Sequence, residues 1–192
     1  VPKESFTKEA VLDAAWGIAR ESGFDSVSVR TVAAVLHSSP GPIYRHFGTM
    51  QQLTDALLQR AQQVLIGLMQ EPYSEFPFLN MGVGFIRFAR DEAKLFQTTL
   101  LTPRYAREFV CSTNAICLSL MAQMEPFAQL TDAYRTKILD AMSIISYGLA
   151  VQIFLGILPK PDDEEIIQRL NAIGTGALEH YQRQMQNGAH ES

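Results

Sequence analysis

Residues 27–53 read VSVRTVAAVLHSSPGPIYRHFGTMQQL, and this stretch decides the fold. Ser28 stands where its hydroxyl can accept from a backbone N–H two or three residues on, so it caps a short helix over 29–36. His37 and Ser38 form a break. Ser39 is expected to cap a second helix, with Pro40 in its first turn where a missing N–H costs nothing. That helix carries Gly41, Pro42, Ile43, Tyr44, Arg45, His46 and Phe47. Gly48-Thr49 stops it and opens the next. Two short helices joined by a three- or four-residue turn are the layout of a helix-turn-helix, whose second helix enters the major groove of DNA.

The rest of the chain divides at its prolines, glycines and capping residues. Apolar positions repeat at helical spacing, no segment alternates with period two for long, and about nine helices result. The first covers 7–22, with Val11, Ala14, Ala15, Ile18 and Ala19 inward and Gly23 as its stop. A long fourth helix covers about 50–70, with Leu53, Ala56, Leu57, Ala61, Val64, Leu65 and Leu68 on one stripe. The proline-bearing segment 71–77 is a loop. Further helices are expected over 78–91, 93–100, 103–124, 131–158 and 162–186, with a frayed tail after them. The fold class is therefore all-α. A helix-turn-helix domain over 1–52 is expected to join, through the long fourth helix, a second helical domain over 53–192. The fourth helix is the natural lever between them.

The stretch AVLDAAWGIARESGFDSVSVRTVAA followed by IYRHFGTMQQL resembles the DNA-binding domain of the tetracycline-repressor (TetR) family of bacterial transcription regulators. Three helices occur in the family's order and spacing, over just over the first quarter of the chain. The resemblance implies a second domain that binds a small molecule and dimerises. It also implies no enzymatic activity and no cofactor. Ser28, Arg30, Ser39, Pro40, Gly41, Pro42, Tyr44, Arg45, His46 and Thr49 are the expected DNA-binding residues. Pro40, Gly41 and Pro42 lack long side chains and would admit the backbone close to the bases. Tyr44 and His46 match phosphate-contacting positions, which set register without reading sequence. Thr49 can present its hydroxyl or N–H to a phosphate at a helix start. Arg45 is a phosphate contact or a base reader, and Arg30 can reach a guanine edge, whose O6 and N7 fit two parallel N–H groups. Two positions depart from the pattern. His37 stands where the family's turn usually has Gly, which makes a positive φ costlier. Met50 stands where Lys is common, removing one phosphate contact and about one unit of salt slope.

Charge agrees with a local nucleic-acid face and argues against a general coat. The net charge is −4, yet between Ser26 and Gln52 there are two arginines, two histidines and no acid. A phosphate-facing surface needs such an acid-free patch. Hydrophobic residues make up 47% and charged residues 19% of the chain, so apolar surface is in surplus. In a globular chain that surplus implies an oligomer interface, a ligand cavity, or both. The expected effector site lies among helices five to eight. Phe85, Phe88, Phe109, Met121, Met142 and Tyr147 would supply apolar walls, and Arg104, Asn114, Cys117 and Gln152, with Ser146, the polar contacts.

The last two long helices are expected to form the homodimer. Residues 141–158 carry no charge, which fits a helix buried on two faces better than a membrane span. The last helix offers Ile166, Ile167, Leu170, Ile173, Ala177, Leu178 and Tyr181, with Gly174 and Gly176 allowing close approach. Two such pairs make a four-helix bundle, and a two-fold dimer demands a palindromic double-stranded operator. Cys111 and Cys117, six residues apart, cannot pair on one helix. With no leader before the first helix, a bacterial cytoplasm is the expected setting, with the nucleoid when DNA is bound. No HExxH, ExxH or glycine-rich phosphate loop occurs, and His180 and His190 lack metal-ligand partners. The competing expectation is a helical ligand-binding dimer that has lost or weakened DNA binding, supported by His37 and Met50.

Overall fold

The computed structural model describes the backbone of residues 6–188 and the side chains of residues 6–176. Among the described residues there are nine α-helices and no strand. They are α1 (Lys8–Ser22), α2 (Val29–Val35), α3 (Gly41–Phe47), α4 (Met50–Gln70), α5 (Pro77–Asp91), α6 (Ala93–Phe96), α7 (Pro103–Met121), α8 (Asp132–Phe154) and α9 (Asp163–Gly188). They form two compact units. The first is Val1–Val64 with Glu92–Phe109, the second Leu65–Asp91 with Val110–Ser192. The boundary expected at residue 52 falls inside the first unit, because α4 stays packed on α1 beyond it. Arg60 on α4 pairs with Asp13 on α1, and its Cζ lies 4.9 Å from the centroid of the Trp16 ring.

In the first unit, α1 begins at Thr7, whose Oγ1 accepts from Ala10 N at 3.1 Å, and ends at Gly23 with φ 83°. Val11, Ala15 and Ala19 are fully buried on its inner face, beside Trp16. On α4, Leu53, Leu57 and Ala61 complete the core at intervals of four. The segment Glu92–Phe109 returns to this unit. Phe24 and Tyr105 rings meet at 5.9 Å between centroids. The single helix expected over 93–100 is instead α6 followed by a π-helical turn, Gln97–Leu101. Thr99 is fully buried there, and its Oγ1 donates to Leu95 O at 2.8 Å. A threonine bonding back to the preceding turn competes with the α ladder.

In the second unit, α5 is the central helix and packs on both α8 and α9. Its start is set by Asn80, which is buried but satisfied. Asn80 Oδ1 accepts from Ser74 N and Ser74 Oγ at 2.8 and 2.7 Å, and its Nδ2 donates to Ser74 O at 3.0 Å. Glycines let α5 approach its neighbours closely. A Cβ on Gly84 would lie 2.3 Å from Leu68 O, and one on Gly82 would lie 3.0 Å from Leu170 Cδ1. Helix α7 stops at Met121, three residues before the expected end, as Gln123 N and Met124 N turn back to Leu120 O and Met121 O. Helix α8 stops at Phe154, not at 158. Gly156 takes φ 71°, and Ile157 N returns to Gln152 O, the glycine-closed helix end. Asp162 Oδ1 accepts from Glu165 N at 2.8 Å and caps α9.

Helix α8 is the one helix, among the described residues, long and apolar enough to cross a membrane by length and composition. Within a single chain it buries one face, with Ile138, Leu139, Ser146, Ala150 and Ile153 inward. The second buried face expected for it is open here, with Ile144 74% exposed and Leu155 60% exposed. The expected dimer-face residues Ala177, Leu178 and Tyr181, the histidines His180 and His190, and the tail lie wholly or in their side chains outside the described residues.

Candidate nucleic-acid interface

The turn between α2 and α3 is built from local chemistry. Ser28 Oγ accepts from Thr31 N at 3.1 Å, and Ser28 N donates to Thr31 Oγ1 at 2.9 Å. This is a reciprocal capping box with threonine in the place more often held by Glu or Gln. Ser28 is half-buried and its hydroxyl is spent on the cap, so its part in a DNA face is positional. Ser38 N donates to Ala33 O at 2.9 Å and closes α2. His37 adopts φ 49°, the left-handed conformation anticipated for a glycine-like position.

Ser39 does not cap α3. Pro40 occupies the N-cap position with helical dihedrals and no side-chain cap bond, and Pro42 lies in the first turn. Ile43 N and Tyr44 N both reach Pro40 O. Two prolines remove two donors from a helix start, so little remains for a serine to satisfy. Ser39, Pro40 and Gly41 are exposed, and Pro42 is half-buried.

Helix α3 is held by two residues one turn apart, Ile43 and Phe47, 2% and 3% exposed. The Lys8 ammonium lies 5.4 Å from the Phe47 ring centroid. With that face fixed, Tyr44 and Arg45 face solvent, and Arg30 is exposed on α2. His46 is half-buried, and its Nε2 lies 2.7 Å from Phe6 O, so it ties α3 to the residue before α1. That bond occupies one of the two ring nitrogens of a residue expected to meet a phosphate. Gly48, at φ 62°, ends α3, and Thr49 Oγ1 accepts from Gln52 N at 3.2 Å to cap α4. Thr49 N already reaches Phe47 O, leaving the hydroxyl proton as its available donor.

The expected effector residues are divided between the two units. Phe88, Cys117 and Met121 are buried in the second unit, and Phe85 and Tyr147, half-buried, meet at 6.2 Å between ring centroids. Met142 is half-buried, its Cε 3.0 Å from where a Cβ on Gly174 would stand. Asn114 is half-buried on α7. Cys117 Sγ lies 3.9 Å from Met69 Sδ, and burial pushes its thiol up to about 11. Phe109 and Arg104 fold with the first unit, Arg104 exposed and lying over the Tyr105 ring. Gln152 is also exposed, on the outward line of α8 that carries Ile144, Gly148 and Leu155. Arg104 and Gln152 are thus surface groups of the single chain, not part of its interior.

Residues 11–57 match the model of a family described as bacterial regulatory proteins, tetR family. Over those residues the chain is similar to the DNA-binding part of that family. The HTH-type transcriptional regulator UidR of Escherichia coli K12 is 30% identical over 87 residues, 45% of this chain and 44% of UidR. The uncharacterized HTH-type regulator YobS of Bacillus subtilis is 23% identical over 121 residues, 61% of this chain and 63% of YobS. The chain therefore spans less than two thirds of either relative. Among solved structures, a protein from Rhodococcus sp. assigned to the TetR family has a TM-score of 0.60 at 20% identity, over 88% of this chain and 96% of that one. The multidrug binding protein EbrR, solved with ethidium, has a TM-score of 0.58 at 20% identity, over 86% and 96%. These structures share the fold.

The segment Glu92–Phe109 was not expected in the first unit, and no motif marks it. The Thr31 half of the capping box was legible in the spacing Ser28-x-x-Thr31 but is easily passed over, since Thr is rarer than Glu there.

Proposed function

We propose that this chain is a regulator of the TetR type, a ligand-responsive, DNA-binding transcriptional repressor that acts in the cytoplasm. It binds a palindromic operator as a homodimer and leaves it when a small apolar or amphipathic effector binds. One observation carries the DNA half: α3, pinned by Ile43 and Phe47, exposes Tyr44 and Arg45 within an acid-free stretch. Arg30, Pro40, Gly41 and Thr49 extend the contact surface. The open apolar line of α8, with Ile173 of α9 51% exposed, supports pairing through these two helices. A two-fold pair would set two α3 helices about 34 Å apart, one turn of DNA.

The effector half rests on the second unit's aromatic and sulfur-bearing interior, and on the ethidium-bound structure of EbrR as the choice of first probe. Taking the DNA-competent population from 99:1 to 1:99 requires about 5.5 kcal/mol of discrimination between states. The left-handed turn is kept with His37 in the glycine place, which supports the DNA-binding reading, while Met50 remains the feature that favours a chain with weakened DNA binding.

The test is selection from a random duplex pool with the full chain, followed by sedimentation of the complex. An inverted repeat bound by two chains is expected. Arg30→Ala with Tyr44→Phe should weaken binding to the selected duplex at least tenfold. Unchanged affinity would remove α3 as the reader, and a monomeric complex would remove the dimer. Ethidium is then titrated both into the chain without DNA and into the complex, because ethidium also intercalates into the duplex. Binding to the chain without DNA together with release of the complex supports the effector site, and a chain that binds none of a broad panel of drugs would overturn it.

A further inference from the structure

The last two residues of α3 lie against the start of α1, and two contacts fix them there. His46 Nε2 lies 2.7 Å from Phe6 O, and the Lys8 ammonium lies 5.4 Å from the centroid of the Phe47 ring. Both helices belong to the first unit, so the placement is internal to one compact body. Phe6 and Lys8 flank Thr7, the residue that caps α1. The chain therefore enters α1 alongside the C-terminal end of the proposed reading helix.

Phe47 is buried, while Lys8 is exposed. A lysine stem lies along apolar surface while its ammonium stays in water. Contact between an exposed cation and a ring is weak, so it steers the ammonium without consuming its charge. The other cations of α1 and α4 are spent on acids: Arg20 is paired with Glu92, and Arg60 with Asp13. Among the described residues Lys8 has no carboxylate partner. Glu9, exposed and next along the helix, projects about 100° away from it. The turn after α3 brings no positive charge of its own, since residues 48–52 read Gly-Thr-Met-Gln-Gln.

We infer that Lys8 contacts a phosphate of the DNA backbone, delivered from α1 to the C-terminal end of α3. The inference rests on the DNA-binding reading of α3 proposed above. Such a contact adds affinity and sets register without reading sequence. The Phe47 ring aims the ammonium, and the bond from His46 to Phe6 O holds the start of α1 beside α3. An ammonium meets a phosphate as a point charge, so arginine should serve in its place.

The experiment is fluorescence anisotropy of the full chain on an arbitrary labelled duplex at several salt concentrations. Each phosphate neutralised contributes about 0.9 to the slope of log affinity against log salt. Lys8→Gln should lower that slope by about one unit and weaken binding at low salt at least threefold. Lys8→Met keeps the apolar stem over Phe47 and removes only the charge, so it should lose as much. Lys8→Arg should keep the wild-type slope. Arg20→Gln removes the same charge from the far end of α1, roughly 18 Å along the helix, and should leave the slope unchanged. An unchanged slope in Lys8→Gln or Lys8→Met would overturn the inference. Equal losses in Lys8→Gln and Arg20→Gln would overturn it too, because net charge rather than contact would then be at work. Arg45→Ala separates this inference from the reading it rests on. Loss of slope with Arg45→Ala but not with Lys8→Gln refutes Lys8 alone, whereas a wild-type chain that binds no duplex ends both.

Discussion

Replacing Gly84 with alanine tests how closely α5 approaches the tail of α4. An added Cβ would stand 2.3 Å from Leu68 O and 2.4 Å from both Leu68 C and Met69 N. Carbon and carbonyl oxygen in weak contact settle at about 3.3–3.6 Å, so the shortfall is about 1 Å. All three atoms are backbone, so no side-chain rotation relieves the clash. One helix has to move. Overpacking of this kind costs about 1–3 kcal/mol, and the backbone-to-backbone case belongs at the upper end. Alanine recovers about 1 kcal/mol of helix propensity over glycine. The net loss is about 2 kcal/mol, or about 4–8 °C in Tm for a chain of this size. Gly17→Ala is the matched control, because its Cβ meets nothing within 4 Å. It should gain about 0.5–1 kcal/mol. Thermal unfolding followed by circular dichroism compares the two. A Gly84→Ala chain melting at or above the wild type would refute the close approach of α5 to α4.

Four further outcomes are expected. His37→Gly should raise stability by about 0.5–1 kcal/mol in urea unfolding, because the φ of 49° suits glycine better than an L side chain. Brief alkylation of the native protein should label exposed Cys111 and spare Cys117, whose buried thiol is pushed up to about 11, with both labelled in denaturant. Arg45→Ala should reduce the salt slope of binding to an arbitrary duplex by about one unit, as read from fluorescence anisotropy at several salt concentrations. Hydrogen bonds from Arg90 hold the Asp91 carboxyl below its ordinary range despite partial burial. A depressed carboxylate contributes fully above its unfolded pKa of about 3.9 and loses that contribution as pH falls through the lower folded value. The stability difference between wild type and Asp91→Asn should therefore be constant near neutrality and shrink as the pH is taken below that range.

The helix-turn-helix was legible because its determinants are local. Ser28 and Thr31, the glycines at 23 and 48, and the apolar pair Ile43 and Phe47 act within one or two helical turns, and chain spacing alone exposes them. Tyr44 and Arg45 follow from that pair, since adjacent residues on a helix point away from a buried neighbour. Ser39 misled for a local reason as well: a serine before Pro-Gly-Pro looks like a cap, but the prolines leave it few donors to serve. The expected effector residues were harder to place. Composition implied an apolar interior, yet whether Arg104 or Gln152 faces it depends on how a helix is rotated against its neighbours.

By itself, the amino-acid order determined an all-α architecture, about nine helices whose boundaries among the described residues mostly fall within a few positions, and a helix-turn-helix with its solvent-facing residues. Tertiary structure decided what is long-range. It returned Glu92–Phe109 to the first unit, brought Arg20 to Glu92 and Arg90 to Asp163 across about seventy residues of chain, and left one side of α8 open. Capping and periodicity are short-range and written in spacing. Pairing between distant residues depends on how whole helices pack, and many arrangements satisfy the same hydrophobic pattern until their side chains must interlock.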